Sequence, residues 1–325
     1  MDRLLAGKAG PMQSGWCMIM KPIFILGPTA VGKSGVGLVL AERLQAEICA
    51  VDACQIYRNL DIGTGKATRK EQERVTHRLI DLVEPESDFS VADYIAQAEI
   101  VRKDLESRKV PSVWVGGTGL YHRALREGLS PAPASDPEVV NVLESAPFEQ
   151  LQEEIRQVDP TWAETADLSN PRRVFRALAV FRQTGKTLSS WHEERTVPCL
   201  PQAIAFILNR DRAQVSKRIE KRVEGMWNQG WPDEVRALLQ RPGWEGSQSC
   251  KALGYKEVAM CVRREISPVI CKEAIVQQTI HYAKRQLTWF RRESNLRVIE
   301  WHDSDSEESV ASRLQTYLET SHSSL

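Results

Sequence analysis

The chain has 325 residues, of which 42% are hydrophobic and 26% charged, so it can bury a core and is not intrinsically disordered. No apolar run approaches the roughly 20 residues that cross a bilayer, so we expect no membrane association. The seven cysteines form no CxxC pair, which argues against a disulfide framework or a Cys/His zinc site and fits a cytoplasmic location.

Charge is unevenly distributed along the chain, although the formal net charge is zero. Residues 170–297 carry 24 Lys and Arg against 12 Asp and Glu, whereas residues 1–169 carry 18 against 25. A basic second half in a neutral chain is typical of a protein that binds a polyanion on one side. A solvated surface of mixed charge is the alternative that composition leaves open.

Residues 1–20 precede the predicted core of the chain. Residues 1–20 lack a signal-peptide core and a cleavage site, so we interpret them as a disordered leader, with Met18 or Met20 as an alternative translation start.

Helical patterns such as Val36, Leu40 and Leu44 separate short apolar runs, which predicts an α/β core. Five such runs predict buried strands of a parallel sheet, at residues 23–26, 48–51, 113–115, 203–208 and 298–301.

A long interval between the third and fourth apolar runs predicts helices only. Asp136 and Asn170 each precede a proline, a pairing typical of a helix N-terminus, and Gly185 ends the second of these helices. We therefore expect a helical insertion in an α/β core. The predicted boundaries are 21–130 and 201–301 for the core, 131–200 for the insertion, and 302–325 for an acidic flexible tail.

The segment after the first predicted strand satisfies the pattern GxxxxGK[ST] and precedes a helix, which is the context of a phosphate-binding loop. Backbone N–H groups and the helix N-terminus would hold phosphate oxygens, with Lys33 as a point charge and Ser34 as a ligand of Mg²⁺. The third strand ends at residues 116–119 without a carboxylate, which favours a small group-transfer enzyme over a motor or switch NTPase. The loop consists of Gly27, Pro28, Thr29, Ala30, Val31, Gly32, Lys33 and Ser34.

Asp52 directly follows the second predicted strand. Because parallel sheets bind ligands at the carboxyl ends of their strands, we expect Asp52, Ser34, Thr118 and Arg210 to face one crevice. A carboxylate beside a phosphate loop suits a general base acting on an incoming nucleophile. An N-cap for the next helix is the alternative role of Asp52.

Six motifs along residues 21–301 resemble those of the tRNA dimethylallyltransferase family, also called tRNA isopentenyltransferases. They are GPTAVGKS at 27–34, DACQIYRNLDIGTGK at 52–66, HRLID at 77–81, VGGTGLY at 115–121, GYKE at 254–257 and AKRQLTWFR at 283–291. The resemblance implies a P-loop NTPase-like parallel sheet of about five strands with an inserted all-helical domain. It also implies that the loop holds the diphosphate of dimethylallyl diphosphate rather than ATP.

The resemblance further implies the reaction, in which the dimethylallyl group passes to N6 of the adenosine immediately 3′ of the anticodon in tRNA. The product would be N6-(dimethylallyl)adenosine, with Mg²⁺ as cofactor, the anticodon stem-loop as partner and a monomeric enzyme. Asp52 matches the general base, Thr118 a residue that contacts substrate, and Arg222 an arginine near the diphosphate.

The resemblance also marks residues that would contact tRNA. These are Asp52, Ala53, Cys54, Gln55, Arg172, Arg173, Val174, Phe175, Arg176, Lys251, Gly254, Tyr255, Lys256, Lys284, Arg285, Gln286, Trp289 and Arg291. The spacing of Arg285, Trp289 and Arg292 independently predicts a basic stripe with an interleaved aromatic. Core packing of Trp289, and ordinary solvated surface for the arginines at 172 and 176, are the alternatives.

Four positions depart from the family pattern, at Cys54, Gly65, Asn170 and Ile280, and only Ile280 replaces a charge that could meet phosphate. We therefore expect a somewhat lower tRNA affinity and intact catalytic groups. Three other functions stay open: an adenylate isopentenyltransferase, a nucleotide kinase with the same core, and a non-catalytic RNA-binding protein.

Overall fold

A computed structural model describes residues 21–194 and 196–322, so the leader expected at 1–20 lies outside the described residues. The chain divides into two compact units. One contains the described residues up to His122 and from Gln202 onward, and the other contains Arg123–Pro201. The boundary thus lies ahead of residue 131, where the sequence interpretation began the helical insertion.

The first unit is built on a parallel sheet of six strands, which confirms the predicted α/β fold. The strands are β1 (Ile23–Leu26), β2 (Glu47–Val51), β3 (His77–Arg78), β4 (Ser112–Gly116), β5 (Ile204–Arg210) and β6 (Arg297–Trp301). Their order in the sheet is β3-β2-β4-β1-β5-β6. Each predicted apolar run forms a strand, whereas the two-residue β3 is too short to show an apolar pattern.

The register of the central strands fixes where the loops of the site emerge. Leu26 at the end of β1 pairs with Gly116 on one side and Ile207 on the other, and Val51 also pairs with Gly116. The strands β1, β2 and β4 therefore end at the same level, because all run in the same direction. The segments that follow them share one edge of the sheet, where parallel sheets bind ligands.

Helices flank the sheet, and their ends carry local signals. Gly32, with φ of 113°, precedes the helix that begins at Lys33, and Ser90 and Asp93 form a capping box at the start of the helix that begins at Val91. The helices of the first unit are α1 (Lys33–Leu44), α2 (Arg69–Arg74), α3 (Val91–Arg108), α4 (Gly119–Glu127, which runs on into the second unit), α10 (Arg212–Asn228), α11 (Trp231–Leu238), α12 (Tyr255–Val262), α13 (Pro268–Phe290) and α14 (Glu307–His322). Short 3₁₀ turns occur at Trp244–Gly246 and Ser249–Lys251.

The prediction of a flexible tail at 302–325 is wrong for the residues of α14. Val310, Ala311, Leu314 and Leu318 are fully buried in the cluster that also contains the apolar face of α1. Their spacing places them on one side of a helix, so burial of this stripe stabilises the segment despite its acidic and serine-rich composition.

Helices are the only regular elements among the described residues of the second unit. Its helices are α5 (Pro137–Glu144), α6 (Phe148–Val158), α7 (Pro160–Thr165), α8 (Pro171–Thr184) and α9 (Leu188–Glu193). Asp136 caps α5 through Glu138 N–H, and Gly185 ends α8 with φ of 69°, as predicted. Asn170 occupies the N-cap of α8 with no side-chain cap hydrogen bond. Residues that include Leu143, Ile155 and Leu178 form the core of this unit.

Candidate active site

The side chain of Lys33 forms a hydrogen bond with the backbone of its own phosphate loop. Lys33 Nζ donates a hydrogen bond of 2.7 Å to the Pro28 carbonyl oxygen. Gly32 is required at its position because a Cβ there would lie 2.6 Å from the Trp301 ring and its φ is positive. Ser34 is exposed in the first turn of α1, where helix N–H groups point toward an incoming anion.

A cavity of about 530 Å³ opens at this loop. Seven of the eleven predicted catalytic and diphosphate-binding residues line it, namely Thr29, Ala30, Gly32, Lys33, Ser34, Asp52 and Arg222. Gly27, Pro28, Val31 and Thr118 do not line it, so the expectation that Thr118 faces this crevice is not met. Gln55 and Gln286, predicted as tRNA contacts, line it as well. It also contains residues that the sequence interpretation did not assign, among them Arg218, Lys221, Tyr282 and Glu307. Its apolar wall comes from Leu38, Ile48, Ala50 and Val115. The cavity can therefore hold an anionic group at the loop and an apolar group against β2 and β4.

Arg210 was expected in the same crevice, and this expectation is wrong. Its guanidinium lies over the Trp301 ring, 4.0 Å from the centroid, and it lines a second cavity of about 650 Å³. Ile280, Lys284 and Arg291 line that second cavity as well. The end of a parallel strand fixes the edge of the sheet at which a side chain emerges but not the cavity that it enters.

Asp52 is half-buried at the end of β2, and its Oδ1 accepts hydrogen bonds from Cys54 N–H at 2.8 Å and Gln55 N–H at 3.3 Å. Burial raises the pKa of Asp52, while these two hydrogen bonds and the charges of Lys33 and Arg222 oppose the rise. These hydrogen bonds form a turn that fixes the carboxylate in the cavity. The next helix, α2, begins only at Arg69 and is capped by Thr68, so the alternative role of Asp52 as an N-cap is wrong, whereas its role as general base stays a prediction.

Thr118 joins the loops that follow β2 and β4. Its hydroxyl oxygen accepts a 3.2 Å hydrogen bond from Ala53 N–H, and its own N–H donates to the Val51 carbonyl at 3.3 Å. Thr118 follows Gly117, which lines the cavity. The contact holds the backbone beside Asp52 in place.

Two arginines one turn apart on α10 face the cavity. Arg218 Nε donates to the Ala30 carbonyl at 2.8 Å, and Arg222 donates to the Thr64 carbonyl at 3.3 Å. Burial lowers the pKa of Arg222, Asp52 opposes that shift and Arg218 adds to it. The i, i+4 spacing from Arg222 was the sequence signal that could have identified Arg218.

The carboxylate of Glu234 holds the segment around Thr64 that Arg222 contacts. Glu234 Oε2 accepts the N–H groups of Asp61 at 2.9 Å and Ile62 at 2.7 Å, and Glu234 Oε1 accepts the Tyr255 hydroxyl at 2.8 Å. Lys66 is buried between Asp61 and Asp81, at 2.5 Å from each. These contacts fix the position of Thr64, which lines the same cavity as the phosphate loop.

The residues expected to contact tRNA differ in burial. Seven basic side chains are exposed, namely Arg172, Arg173, Lys251, Lys256, Lys284, Arg285 and Arg291. Val174, Tyr255 and Gln286 are buried, so their side chains are unavailable to RNA on this surface, and the expectation is corrected for them. Arg176 is half-buried and donates to the carbonyl of Pro133 and the hydroxyl of Ser135. The remaining members, Ala53, Cys54, Gln55, Phe175 and Trp289, are half-buried, while Gly254 is buried.

Trp289 packs its indole against Gly119 at the start of α4, which fits the core-packing alternative.

Cys54, one of the departures from the family pattern, has its thiol pKa raised by burial and by the charge of Asp52. The thiol therefore stays protonated and adds no charge beside Asp52.

The described part of the chain contains no group of three or more His, Cys, Asp and Glu placed to hold a metal ion. A divalent cation would therefore depend on Ser34 together with ligand phosphate oxygens and water, a mode that suits Mg²⁺. Across residues 21–194 and 196–322, no helix is both long and apolar enough to span a bilayer.

Known proteins resemble this chain over most of its length. A family model described as IPP transferase matches residues 55–293, and one described as isopentenyl transferase matches residues 20–85. The tRNA dimethylallyltransferase 2 of Geotalea uraniireducens is 37% identical over 290 residues, which cover 88% of this chain and 94% of that protein.

Solved structures of related enzymes also resemble this chain. The full-length tRNA isopentenylpyrophosphate transferase of Bacillus halodurans has a TM-score of 0.68 at 31% identity, covering 94% of this chain and 98% of that one. A eukaryotic dimethylallyltransferase acting on tRNA has a TM-score of 0.79 at 22% identity, covering 94% and 80%, and shares the fold. By sequence and by structure, the chain belongs to the tRNA dimethylallyltransferase family, described as IPP transferases.

Proposed function

We propose that this chain transfers the dimethylallyl group of dimethylallyl diphosphate to N6 of the adenosine immediately 3′ of the anticodon in tRNA. The observation that carries the proposal is a single cavity that joins a phosphate loop, the carboxylate of Asp52 and the cations Lys33 and Arg222. Family membership supports the same conclusion.

The phosphate loop, Lys33, Arg218 and Arg222 would bind the diphosphate. Negative charge develops on the bridging oxygen as the bond to the dimethylallyl carbon breaks, and positioned cations and N–H groups stabilise that charge. The apolar wall of Ile48, Ala50 and Val115 would receive the five-carbon chain and exclude water from the allylic carbon.

Asp52 would act on the incoming amine. The lone pair of the exocyclic nitrogen of adenine is delocalised into the ring, so the nitrogen is a weak nucleophile. It must lose one proton as the new C–N bond forms, and the carboxylate of Asp52 would accept that proton. The raised pKa of Asp52 suits this role, because a more basic carboxylate takes up a proton more readily.

Ser34 would hold Mg²⁺ together with diphosphate oxygens and water, since Ser34 is exposed at the start of α1 and lines the cavity. The bound ion would supply further neutralisation of the departing diphosphate.

The adenine would have to leave its base stack to reach this cavity, so base flipping is part of the proposal. Exposed lysines and arginines would contact the RNA backbone, because phosphate contacts dominate affinity for nucleic acid. Lys251, Lys256, Lys284 and Arg285 are exposed members of this set.

The test is incubation of the protein with Mg²⁺, labelled dimethylallyl diphosphate and tRNA that lacks the modification, followed by nucleoside analysis. We expect label in N6-(dimethylallyl)adenosine. Parallel reactions with AMP as acceptor, and with ATP and a nucleoside monophosphate in a coupled assay, test the adenylate isopentenyltransferase and kinase alternatives. Label in AMP rather than tRNA, or phosphoryl transfer from ATP, would refute the proposal.

A further inference from the structure

Gln286 on α13 connects the two loops that border the cavity. It is 7% exposed. Its Oε1 accepts a 2.8 Å hydrogen bond from Thr29 N–H in the phosphate loop, and its Nε2 donates a 2.9 Å hydrogen bond to the Gly117 carbonyl after β4. A Cβ on Gly117 would lie 2.3 Å from Nε2, so glycine is required for this contact.

The chemistry of the two partners fixes the orientation of the amide. Thr29 offers an N–H donor and Gly117 offers a carbonyl acceptor, so the Gln286 oxygen must face the first and its nitrogen the second. A carboxylate in this place could accept but not donate, and a thioether could do neither well. The hydrogen bond to Gly117 is buried and that from Thr29 is partly buried, and the Gln286 side chain itself is buried, so loss of either bond leaves one of its polar atoms unsatisfied.

The helix that carries Gln286 has a basic outer side. Lys284 and Arg285 are exposed, whereas Tyr282, one turn before Gln286, lines the cavity. Because α13 holds Gln286 between the loops, any shift of the helix would change the separation of Thr29 and Gly117.

We propose that Gln286 is a positioning residue for the diphosphate site and not an RNA ligand. Through it, α13 holds the phosphate loop and the loop after β4 in the arrangement that binds diphosphate. The inference rests on the proposed function, from which the diphosphate ligand is taken.

The test uses inorganic diphosphate with Mg²⁺ as the probe and measures its affinity by calorimetry between pH 5.5 and 8.5. Gln286→Met should weaken binding on the order of tenfold at every pH, because both hydrogen bonds are removed. Gln286→Glu should weaken binding at least as much at pH 8.5 and recover toward wild type at pH 5.5, where a protonated carboxyl again donates and accepts. Each value is expressed relative to wild type at the same pH, which removes the titration of the probe itself.

The matched control is Gln277→Glu, which adds the same charge to an exposed position of α13 and should leave diphosphate affinity unchanged. Affinity for unmodified tRNA is measured on all variants and should change less than about twofold on substitution of Gln286. Melting curves report folding, and Gln286→Met serves if Gln286→Glu does not fold.

Two results would overturn the inference. One is diphosphate affinity of the Gln286 variants equal to that of the control. The other is a loss of tRNA affinity with diphosphate affinity intact, which would make Gln286 an RNA ligand. Because diphosphate binding needs no turnover, failure of this inference is distinguishable from failure of the proposed transfer reaction in wild type.

Discussion

The ammonium of Lys33 donates a 2.7 Å hydrogen bond to the carbonyl oxygen of Pro28, five residues earlier in the same loop. Burial, together with the charge of Arg222, lowers the pKa of Lys33 to about 7 against the opposing charge of Asp52. The lysine is thus only partly charged at neutral pH, so an anion that binds beside it raises its pKa.

We therefore expect diphosphate binding to take up a proton at Lys33 and to weaken as the pH rises through about 7. Calorimetry at pH 7.5 in buffers of different ionisation enthalpy measures this uptake. Lys33→Arg keeps the charge at all pH values and should lack that component. Equal proton uptake by wild type and Lys33→Arg would show that Lys33 is already charged.

Asp52 should cost stability at neutral pH. Its pKa is raised in the folded protein, so the folded state binds more protons than the unfolded state between the two pKa values, and the free energy of unfolding falls as pH rises through that window. We expect Asp52→Asn to be at least as stable as wild type at pH 7.5, with the difference vanishing at acid pH. Urea denaturation measures this, with exposed Asp88→Asn as control. A decrease of more than about 1 kcal/mol at pH 7.5 would contradict the expectation.

The exposed arginines at the start of α8 provide a test of tRNA contact in the second unit. Arg172→Ala plus Arg173→Ala should lower tRNA affinity and make the salt slope of log K shallower by about 0.7 to 0.9 for each RNA phosphate that is no longer neutralised. Arg176→Ala is the comparison, because this arginine donates to Pro133 and Ser135 and should mainly lower stability. Titration of tRNA at several salt concentrations decides, and an unchanged slope in the double variant would make these residues ordinary surface.

Helix α14 should contribute to the stability of the core. Leu314 is fully buried, so Leu314→Ala should lower the free energy of unfolding by about 2 to 5 kcal/mol. Thr316→Ala, at an exposed position of the same helix, should change it by less than about 0.5 kcal/mol. Similar denaturation curves for the two variants would mean that α14 does not pack as described.

The sequence predicts the parts of the site that depend on local patterns. Lys33 and Ser34 lie in a short motif between a strand and a helix, and Asp52 comes directly after an apolar run, so each could be assigned from its neighbours. The contact between Thr29 and Gln286 spans 257 residues and leaves no local signal. The sequence therefore indicates the phosphate loop and the carboxylate of Asp52, but not the contact that Gln286 makes with the loop.

The wrong predictions concern segments whose structure depends on packing and not on composition. The acidic and serine-rich content of residues 302–325 predicts a flexible tail, yet the spacing of Val310, Leu314 and Leu318 predicts a buried helical stripe. The family resemblance alone assigns Val174 and Tyr255 to RNA contact, and both are fully buried. A resemblance over a segment does not reveal which face of its helix reaches solvent.

The most direct test of the proposed mechanism is the single-turnover rate of Asp52→Asn with saturating dimethylallyl diphosphate and tRNA. We expect tRNA affinity to be retained and the rate to fall by about 10² to 10⁴-fold, the usual contribution of a general base. Asp88→Asn, at an exposed position, should keep the wild-type rate. An Asp52→Asn rate within about threefold of wild type, well short of that contribution, would remove Asp52 from the mechanism.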